Sequence, residues 1–323
     1  MPGFEFLLTN LLSPIVLAFA LGAVAGFLKS ELELPEAVIK LLSIYLLFSI
    51  GLVGGKELAQ VAFSAIAPLI AVTLALTVAL PVVCFAVLRQ LGGFDPANAA
   101  AVAAHYGSVS SATFFTAVTF AKTMGTPSEG FMTAVVALME FAVIISLLIA
   151  RWSMQKQNGG VKLGALLVST IRGRGILLLS GGMLIGAIAT EGQWGQIKPF
   201  YEDMFRGFLM LFLLEMGITA ARQIRGFAAV GLFMTGFALI VPVVFGLIGV
   251  TLGHAIGLGV GGAFVLGAVC ASASFIDAPA ACRAALPEAN PGIYLTASLG
   301  ITLPFNLLLG VPLYYNYALW LYG

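Results

Sequence analysis

Residues 105–113 read HYGSVSSAT and residues 271–279 read ASASFIDAP, and each stretch places small and hydroxylated side chains inside a long apolar segment. Gly107 and Ala271 begin the matching tetrads GSVS and ASAS and lie 271 − 107 = 164 residues apart. Small residues let helix backbones approach, and serine hydroxyls both donate and accept hydrogen bonds. The two stretches therefore predict paired interruptions in two buried helices of a repeated fold.

The composition around these stretches is that of a membrane protein. Of 323 residues, 60% are hydrophobic and only 9% are charged, against roughly 25% in soluble domains. The mean hydropathy is +1.07. These values exclude a water-soluble enzyme and a disordered chain, and the net charge of +1 gives no reason to expect a nucleic-acid partner. The three cysteines do not form a disulfide framework in this interpretation.

Ten apolar segments approach the length of about 20 residues that a membrane-spanning helix needs. We therefore predict an all-α polytopic membrane protein with ten transmembrane helices, the fourth and ninth of them interrupted. The segments are 11–28, 37–55, 62–88, 98–121, 131–150, 176–191, 205–219, 227–252, 258–280 and 292–322.

The charges between the segments predict the orientation. The linker 151–175 carries five basic residues and no acidic one. Basic loops remain in the cytoplasm, so the linker is predicted to be cytoplasmic and both termini to lie outside. The localisation predicted is the cell's inner or plasma membrane. Four basic residues fall on the predicted outer side: Lys56, Lys122, Lys198 and Arg206.

Two further matches support an internal repeat. Residues 21–23 match 185–187 at a shift of 164, and residues 50–52 match 216–218 at a shift of 166. The repeats would be 1–150 and 176–323, joined by the basic linker. Five helices in each repeat force the second to enter the membrane from the opposite side. Such inverted repeats are typical of secondary transporters, which bind substrate near the membrane midplane at broken helices.

The paired interruptions predict a binding site for a small anion. Helix N-termini at a break offer free N–H groups and a positive dipole end, while hydroxyls and freed carbonyls suit a sodium ion. A single serine more often packs helices, but two clusters at equivalent positions indicate a site. The predicted substrate-binding residues are Gly107, Ser108, Ser110, Ser111, Ser272 and Ser274.

Apart from Glu191 at the end of a segment, three acidic residues lie inside the apolar segments: Glu140, Glu215 and Asp277. A carboxylate in the membrane is costly, so each suggests a function. Asp277 follows the second cluster and is predicted to bind the cation. Glu140 could coordinate a cation, relay a proton or bond a neighbouring helix. For Glu215 we predict an ion pair with the arginines at 222 and 225. We expect no cofactor and no transition-metal site.

At these residues the chain resembles the sodium-dependent bicarbonate transporter family known from cyanobacteria. The similar pieces are GLVGG at 51–55, GSVS at 107–110, residues 272–283, and LPEANP at 286–291. The resemblance implies gate-like helices 1, 2, 6 and 7 and core-like helices 3–5 and 8–10. It also implies a homotrimer, with bicarbonate and sodium bound where helices four and nine meet, and a PII-like cytoplasmic regulator as a further partner.

Carried over by position, Ser110 and Thr113 match hydroxyl positions of the family motif, so Thr113 joins Asp277 and Glu140 as a predicted sodium-binding residue. Phe275 stands where the family has an aspartate, and Asp277 appears two residues later. The sequence predicts a sodium-coupled symporter of bicarbonate or a related small anion. The alternatives are a sodium- or proton-coupled carrier of a small organic acid and, in another class, a passive channel or membrane scaffold.

Overall fold

The structure is a computed structural model that describes residues 11–139, 174–224, 227–275 and 278–323, together with Leu8, Ala142, Ile145, Ser146, Leu148, Ile149, Val168 and Arg172. The regular structure of this part is helical throughout, which confirms the predicted all-α class. The helices are α1 (Pro14–Leu28), α2 (Glu36–Leu58), α3 (Phe63–Gln90), α4 (Pro96–Gly107), α5 (Ser111–Thr123), α6 (Thr133–Met139), α7 (Arg174–Ile188), α8 (Glu191–Lys198), α9 (Phe205–Ile224), α10 (Phe227–Ala255), α11 (Val260–Cys270), α12 (Ala278–Ala285) and α13 (Pro291–Tyr322).

Five helical runs are long and apolar enough to cross a membrane. They are Glu36–Leu58, Phe63–Gln90, Glu191–Gln223, Gly231–Ala255 and Pro291–Tyr322. Four shorter apolar helices accompany them, and leucine, isoleucine and valine side chains on the outer faces of α1, α3 and α7 are exposed. A lipid environment accounts for such faces, so the chain is a multi-pass membrane protein.

Helix boundaries follow local chemistry. The Ser13 hydroxyl accepts the Val16 N–H at 3.3 Å, and Pro14 opens α1. The Asp95 carboxylate accepts the N–H groups of Ala97 and Asn98 at 3.0 Å each, and Pro96 opens α4. A serine or aspartate cap followed by proline is a preferred helix start, because the cap satisfies N–H groups that lack helical partners.

Two helix pairs pack backbone against backbone through glycine. A Cβ at Gly22 of α1 would overlap the Leu214 carbonyl of α9, and one at Gly186 of α7 would overlap the Leu52 carbonyl of α2. The α1–α9 and α2–α7 pairs are the most extensive helix contacts of the described part. Small residues at these positions let the backbones of the paired helices come into direct contact.

The remaining helices form a second group. α3 packs on α4, and α10 packs on α11, while α13 contacts α5, α10 and α11. α13 includes π-helical stretches at Thr296–Thr302 and Asn306–Gly310. In a π-helix the backbone hydrogen bonds join residues five positions apart, and not four as in an α-helix. Buried side chains of this group form the apolar core around the two interruptions.

Parts of the sequence prediction fall outside the described residues. Of the predicted fifth span, 131–150, the structure describes a helix only to Met139 and five later positions. The linker 151–175 lies almost wholly outside the described part. The predicted seventh span, 205–219, proved too short, since the helical run that contains it extends over Glu191–Gln223.

Candidate functional site

The first interruption separates α4 from α5. Helix α4 ends at Gly107, and Ser108 is extended, with φ −86° and ψ 178°. Ser110 has φ −97° and ψ 112°, and its hydroxyl accepts the Thr113 N–H at 3.2 Å. The break arises because Ser110 caps a new helix three residues after the old one ends. It falls within the predicted stretch.

The second interruption separates α11 from α12. Helix α11 ends at Cys270, residues 272–274 are not helical, and α12 begins at Ala278. The Ser274 hydroxyl accepts the Ala278 N–H at 3.4 Å. The Ser274 hydroxyl thus binds an N–H in the first turn of the second half-helix, as the Ser110 hydroxyl does in the first, and both are positions that the sequence predicts for substrate binding.

The two interruptions touch each other directly. The Ser110 N–H donates to the Ser272 hydroxyl at 2.9 Å, and the Ser274 N–H donates to the His105 carbonyl at 2.7 Å. Ser110, Ser272 and Ser274 are each at most 3% exposed. A reciprocal pair of hydrogen bonds between two breaks in buried helices holds both non-helical segments in one place.

The three serines differ in what their hydroxyls still offer. The Ser272 hydroxyl donates to the Val269 carbonyl at 2.7 Å and accepts from Ser110, so it serves as a bridge between the breaks. The hydroxyls of Ser110 and Ser274 accept helix N–H groups, and among the described residues neither hydroxyl donates to an acceptor. The hydroxyl hydrogens of Ser110 and Ser274 are therefore still available to a hydrogen-bond acceptor.

The other predicted substrate residues lie in the same place. Gly107 packs on the Pro81 ring of α3, and a Cβ there would come within 2.7 Å of it. Ser108 and Ser111 are buried at 1% and 6% exposure. The structure thus brings all six predicted residues to the two breaks, with Gly107 in the packing contact that lets the chain turn there.

Thr113 carries an unsatisfied hydroxyl. Its side chain is 1% exposed, and its Oγ1 has no hydrogen-bond partner among the described residues. An unpaired buried hydroxyl lowers stability unless a ligand or water completes it. The other predicted cation residues, Glu140 and Asp277, lie outside the described residues.

The sequence of the two breaks, 108–110 and 271–277, contains no lysine or arginine. Lys122 and Arg283 belong to the last turns of α5 and α12. The first turns of those two helices have N–H groups that no helical carbonyl accepts, which gives the breaks a positive dipole potential. The site can therefore hold an anion by hydrogen bonds and dipoles, without an ion pair.

Helix α13 supports both breaks through residues that the sequence analysis did not single out. Asn306 donates from Nδ2 to the Ala271 carbonyl at 2.8 Å, and its Oδ1 accepts the Tyr314 hydroxyl at 3.0 Å. Thr302 and the Tyr106 hydroxyl lie 2.7 Å apart. The sequence could have indicated Asn306 and Thr302, because each is a polar residue in the middle of a long apolar segment.

We expect Asn306→Ala to lower the stability of the purified protein by about 1–3 kcal/mol, because the Ala271 carbonyl loses its donor in a buried site. Thermal unfolding in detergent measures this change. Asn316→Ala is the matched control, since Asn316 lies in the same helix and its amide donates to the Pro312 carbonyl at 2.8 Å. Equal destabilisation by both variants would show that Asn306 has no special part in holding the break.

The structure does not pair Glu215 with Arg222, and residue 225, the other predicted partner, lies outside the described residues. Glu215 is buried, and its carboxylate accepts the Leu34 N–H at 3.2 Å and the Thr219 hydroxyl at 3.2 Å. Arg222 pairs instead with Glu33, at 3.4 Å. The segment that precedes α2 supplies both partners. The backbone N–H of Leu34 binds Glu215, and the exposed carboxylate of Glu33 pairs with Arg222.

His105 is a packing residue whose backbone also serves the site. Its Nδ1 lies 2.6 Å from the Ala101 carbonyl, and its ring stacks on Tyr294 with centroids 4.5 Å apart. Its carbonyl accepts the Ser274 N–H, which links α4 to the second break.

One comparison with known proteins identifies the family. The family model described as the Na+-dependent bicarbonate transporter superfamily matches residues 14–319. No curated protein matches the chain significantly. The matched range contains every described helix of the site, and the family description confirms that the chain is a transporter and not an enzyme. The chain belongs to the Na+-dependent bicarbonate transporter superfamily.

Proposed function

We propose that the chain is a secondary active transporter that couples the entry of bicarbonate, or a closely related small anion, to sodium. The observation that carries this proposal is the pair of hydrogen bonds between the breaks, Ser110 to Ser272 and Ser274 to His105. Broken helices that meet in the interior form the substrate sites of many secondary transporters. The family description supports both the anion and the cation.

The anion would lie between the half-helix ends. The Ser110 and Ser274 hydroxyls donate to it, and the N-terminal dipoles of α5 and α12 favour its charge. A planar monoanion with three oxygens suits donors that converge from two helices. The absence of lysine and arginine from both breaks suits a substrate that must also be released.

The sodium ion would bind beside the anion. The Thr113 Oγ1, buried without a partner among the described residues, supplies one oxygen. Asp277 would add the charge that compensates a desolvated cation, with Glu140 as a further ligand. Sodium then shares a site with the anion, which makes the binding of each favour the other.

Asp277→Asn is expected to remove sodium stimulation of uptake, because the amide keeps the size of the side chain and loses its charge. Bicarbonate uptake into proteoliposomes at several sodium concentrations provides the measurement, with thermal unfolding as the check on folding. An unchanged sodium dependence would remove Asp277 from the cation site.

The helix pairs support a 5+5 inverted repeat. Helices α1 and α2 of the first repeat correspond to α7 and α9 of the second, and the α1–α9 and α2–α7 pairs exchange under that correspondence. The α3–α4 and α10–α11 pairs exchange likewise. We propose that α1, α2 and α7–α9 form a gate body, and that α3–α6 and α10–α13 form a core body that carries the site.

We further propose that both termini lie outside and the basic linker inside, in the plasma membrane. A cysteine in place of Asn158, in a background without native cysteines, should react only with reagent added from the cytoplasmic side. Reaction from outside would invert the topology. The family resemblance supports a homotrimer and a PII-like regulator at the cytoplasmic face.

Uptake of labelled bicarbonate into proteoliposomes tests the function. We expect accumulation driven by an inward sodium gradient and abolished when potassium replaces sodium. Uptake of a small organic acid in place of bicarbonate, or stimulation by a proton gradient alone, would favour the alternative carrier. Equilibration without accumulation would indicate a passive channel.

A further inference from the structure

The glycine-rich stretch 257–262, GLGVGG, forms the turn before α11 and the first residues of that helix. Gly259 is the N-cap of α11, with φ −67° and ψ 169°, and it has no side chain that could accept a helix N–H. Glu129, from the loop after α5, supplies a carboxylate there, because its Oε1 accepts the Gly259 N–H at 2.8 Å. Both the hydrogen bond and the helix dipole favour a carboxylate at this end of α11.

The glycines after Gly259 make room for this contact. A Cβ at Gly262 would overlap Oε2 of Glu129, and a Cβ at Gly261 would overlap the Thr126 carbonyl. Oε2 of Glu129 is buried and has no hydrogen-bond partner among the described residues. A side chain at either glycine would therefore push the loop 126–129 away from α11.

The equivalent helix of the first repeat carries its own carboxylate. Helix α4 begins at Pro96 and α11 begins at Val260, and 260 − 96 = 164 is the shift of the internal repeat. At this shift Asp95 corresponds to Gly259, and the Asp95 carboxylate accepts two N–H groups of its own helix. Helix α11 instead receives a carboxylate from the first repeat, so Glu129 joins the two repeats.

Helices α5 and α11 are joined at three levels. At one end, the two breaks are hydrogen-bonded to each other. In the middle, the rings of Phe120 and Phe264 lie 5.9 Å apart. Helix α11 runs from Gly259 to the second break, and α5 runs from the first break to the loop that carries Glu129. The bond of Glu129 to Gly259 therefore fixes the end of the pair that lies opposite the breaks.

The other two half-helices, α4 and α12, are joined in the same way. The Asn290 N–H, in the loop after α12, donates to Oδ1 of Asn98 in the first turn of α4 at 2.8 Å. The Asn98 amide donates in turn to the Asp95 carboxylate at 2.6 Å. In each repeat, the loop after the second half-helix thus binds the start of the first half-helix of the other repeat.

We propose that Glu129 is a positioning residue for the substrate site, and that its bond to Gly259 holds the second break against the first. This inference rests on the proposed function, which makes the breaks the substrate site. Helix α11 has 11 residues and is buried along nearly its whole length. A packed helix transmits a displacement of its first turn to its last, so release of Gly259 would shift the second break.

Hydrogen exchange of backbone amides, followed by mass spectrometry on the purified protein without bicarbonate, tests the proposal. Glu129→Asp keeps the charge, but its side chain is one methylene shorter and falls short of the Gly259 N–H. Glu129→Gln loses the charge and keeps an oxygen acceptor of the same reach. In Glu129→Asp, we expect peptides that cover 107–113 and 271–275 to exchange at least about threefold faster, and in Glu129→Gln within about twofold of the parent rate.

Thr190→Ala is the matched control for the loss of a helix cap. The Thr190 hydroxyl accepts the Gln193 N–H at the start of α8, in the proposed gate body. Exchange should therefore rise in α8 and stay at the parent rate at the breaks. The proposal is overturned if Glu129→Asp accelerates exchange only within 257–263 or nowhere, or if Glu129→Asp and Glu129→Gln have equal effects.

Uptake into proteoliposomes separates the positioning role from transport itself. Glu129→Asp should raise the half-saturating bicarbonate concentration at least about threefold and keep the maximal rate within about twofold, while Glu129→Gln should match the parent in both. An unchanged half-saturating concentration in Glu129→Asp would also overturn the positioning role. If the parent protein took up no bicarbonate, the proposed function would fail, and the exchange rates would still decide whether Glu129 holds the breaks together.

Discussion

Ser110→Val abolishes sodium-driven bicarbonate uptake in the mechanism proposed here. The substitution removes the hydroxyl that caps α5 and replaces it with methyl groups at a site only 3% exposed, beside Ser272. Loss of the cap costs about 1 kcal/mol, and added methyl groups in a packed site cost about 1–3 kcal/mol more. The first break then lacks the hydroxyl that donates to the anion, and the added methyl groups push it away from Ser272 of the second break. Initial uptake rates in proteoliposomes measure the effect.

Two comparisons make this result specific. Ser110→Ala and Ser274→Ala each remove a hydroxyl donor without adding bulk, so each should raise the half-saturating anion concentration by about tenfold or more, as expected for a hydrogen bond of about 1.5–3 kcal/mol to a charged group. Ser13→Val removes a serine cap of the same kind from α1, far from the breaks. Uptake that survives in Ser110→Val, or that Ser13→Val abolishes equally, would refute a role for Ser110 in the site.

Gly186→Ala is expected to destabilise the protein by about 3 kcal/mol or more. Alanine normally stabilises a helix relative to glycine by about 0.5–1 kcal/mol. At this position the added Cβ would lie 2.8 Å from the Leu52 carbonyl carbon, with its oxygen nearer still, so α7 and α2 must separate along their length. Separation of packed helices loses contacts at every turn. Thermal unfolding in detergent gives the measurement.

Gly181→Ala, in the same helix, is the matched control. Nothing lies within 4 Å of a Cβ built at Gly181, so the substitution should leave stability unchanged or raise it slightly. If both variants unfolded at the temperature of the parent protein, the close packing of α7 on α2 would not contribute to stability, and the gate body would need another explanation.

The sequence predicts the fold well wherever one physical pattern dominates. Apolar length and the charges between segments place most of the described helices to within a few residues, because burying charge in lipid is so unfavourable. The GSVS and ASAS stretches predict both breaks, since serine favours helix caps over helix interiors. The helical run Glu191–Gln223 is missed in part, because α8 is polar and a π-helical stretch at Pro199–Asp203 joins it to the apolar helix that follows.

The sequence predicts which residues lie at the site, but it does not predict the hydrogen bonds that each residue makes. Six residues were grouped by type and spacing, and the structure brings them together. Composition could not show that Ser272 donates its hydroxyl to Val269 while Ser110 and Ser274 keep theirs. Nor could it show Asn306 against the Ala271 carbonyl, because a contact between residues 35 apart along the chain depends on how α13 packs.

Glu215 also has a hydrogen-bond partner that the sequence does not predict. Its position about two turns before Arg222 suggested an ion pair, which is a local inference along one helix. The Leu34 N–H comes from a residue 181 positions away, and no periodicity in the sequence reports it. Buried polar groups take whichever partner the tertiary fold provides, so their partners are the least predictable feature of a membrane protein.

The most direct test of the central claim is the affinity of the purified protein for bicarbonate, measured by calorimetry in sodium and in potassium. If the two breaks form one site for both ions, bicarbonate binds at least about tenfold more tightly in sodium, and sodium binds more tightly in bicarbonate by the same factor. Ser110→Val should lose this coupling. Equal bicarbonate affinity in sodium and potassium for the parent protein would contradict the account.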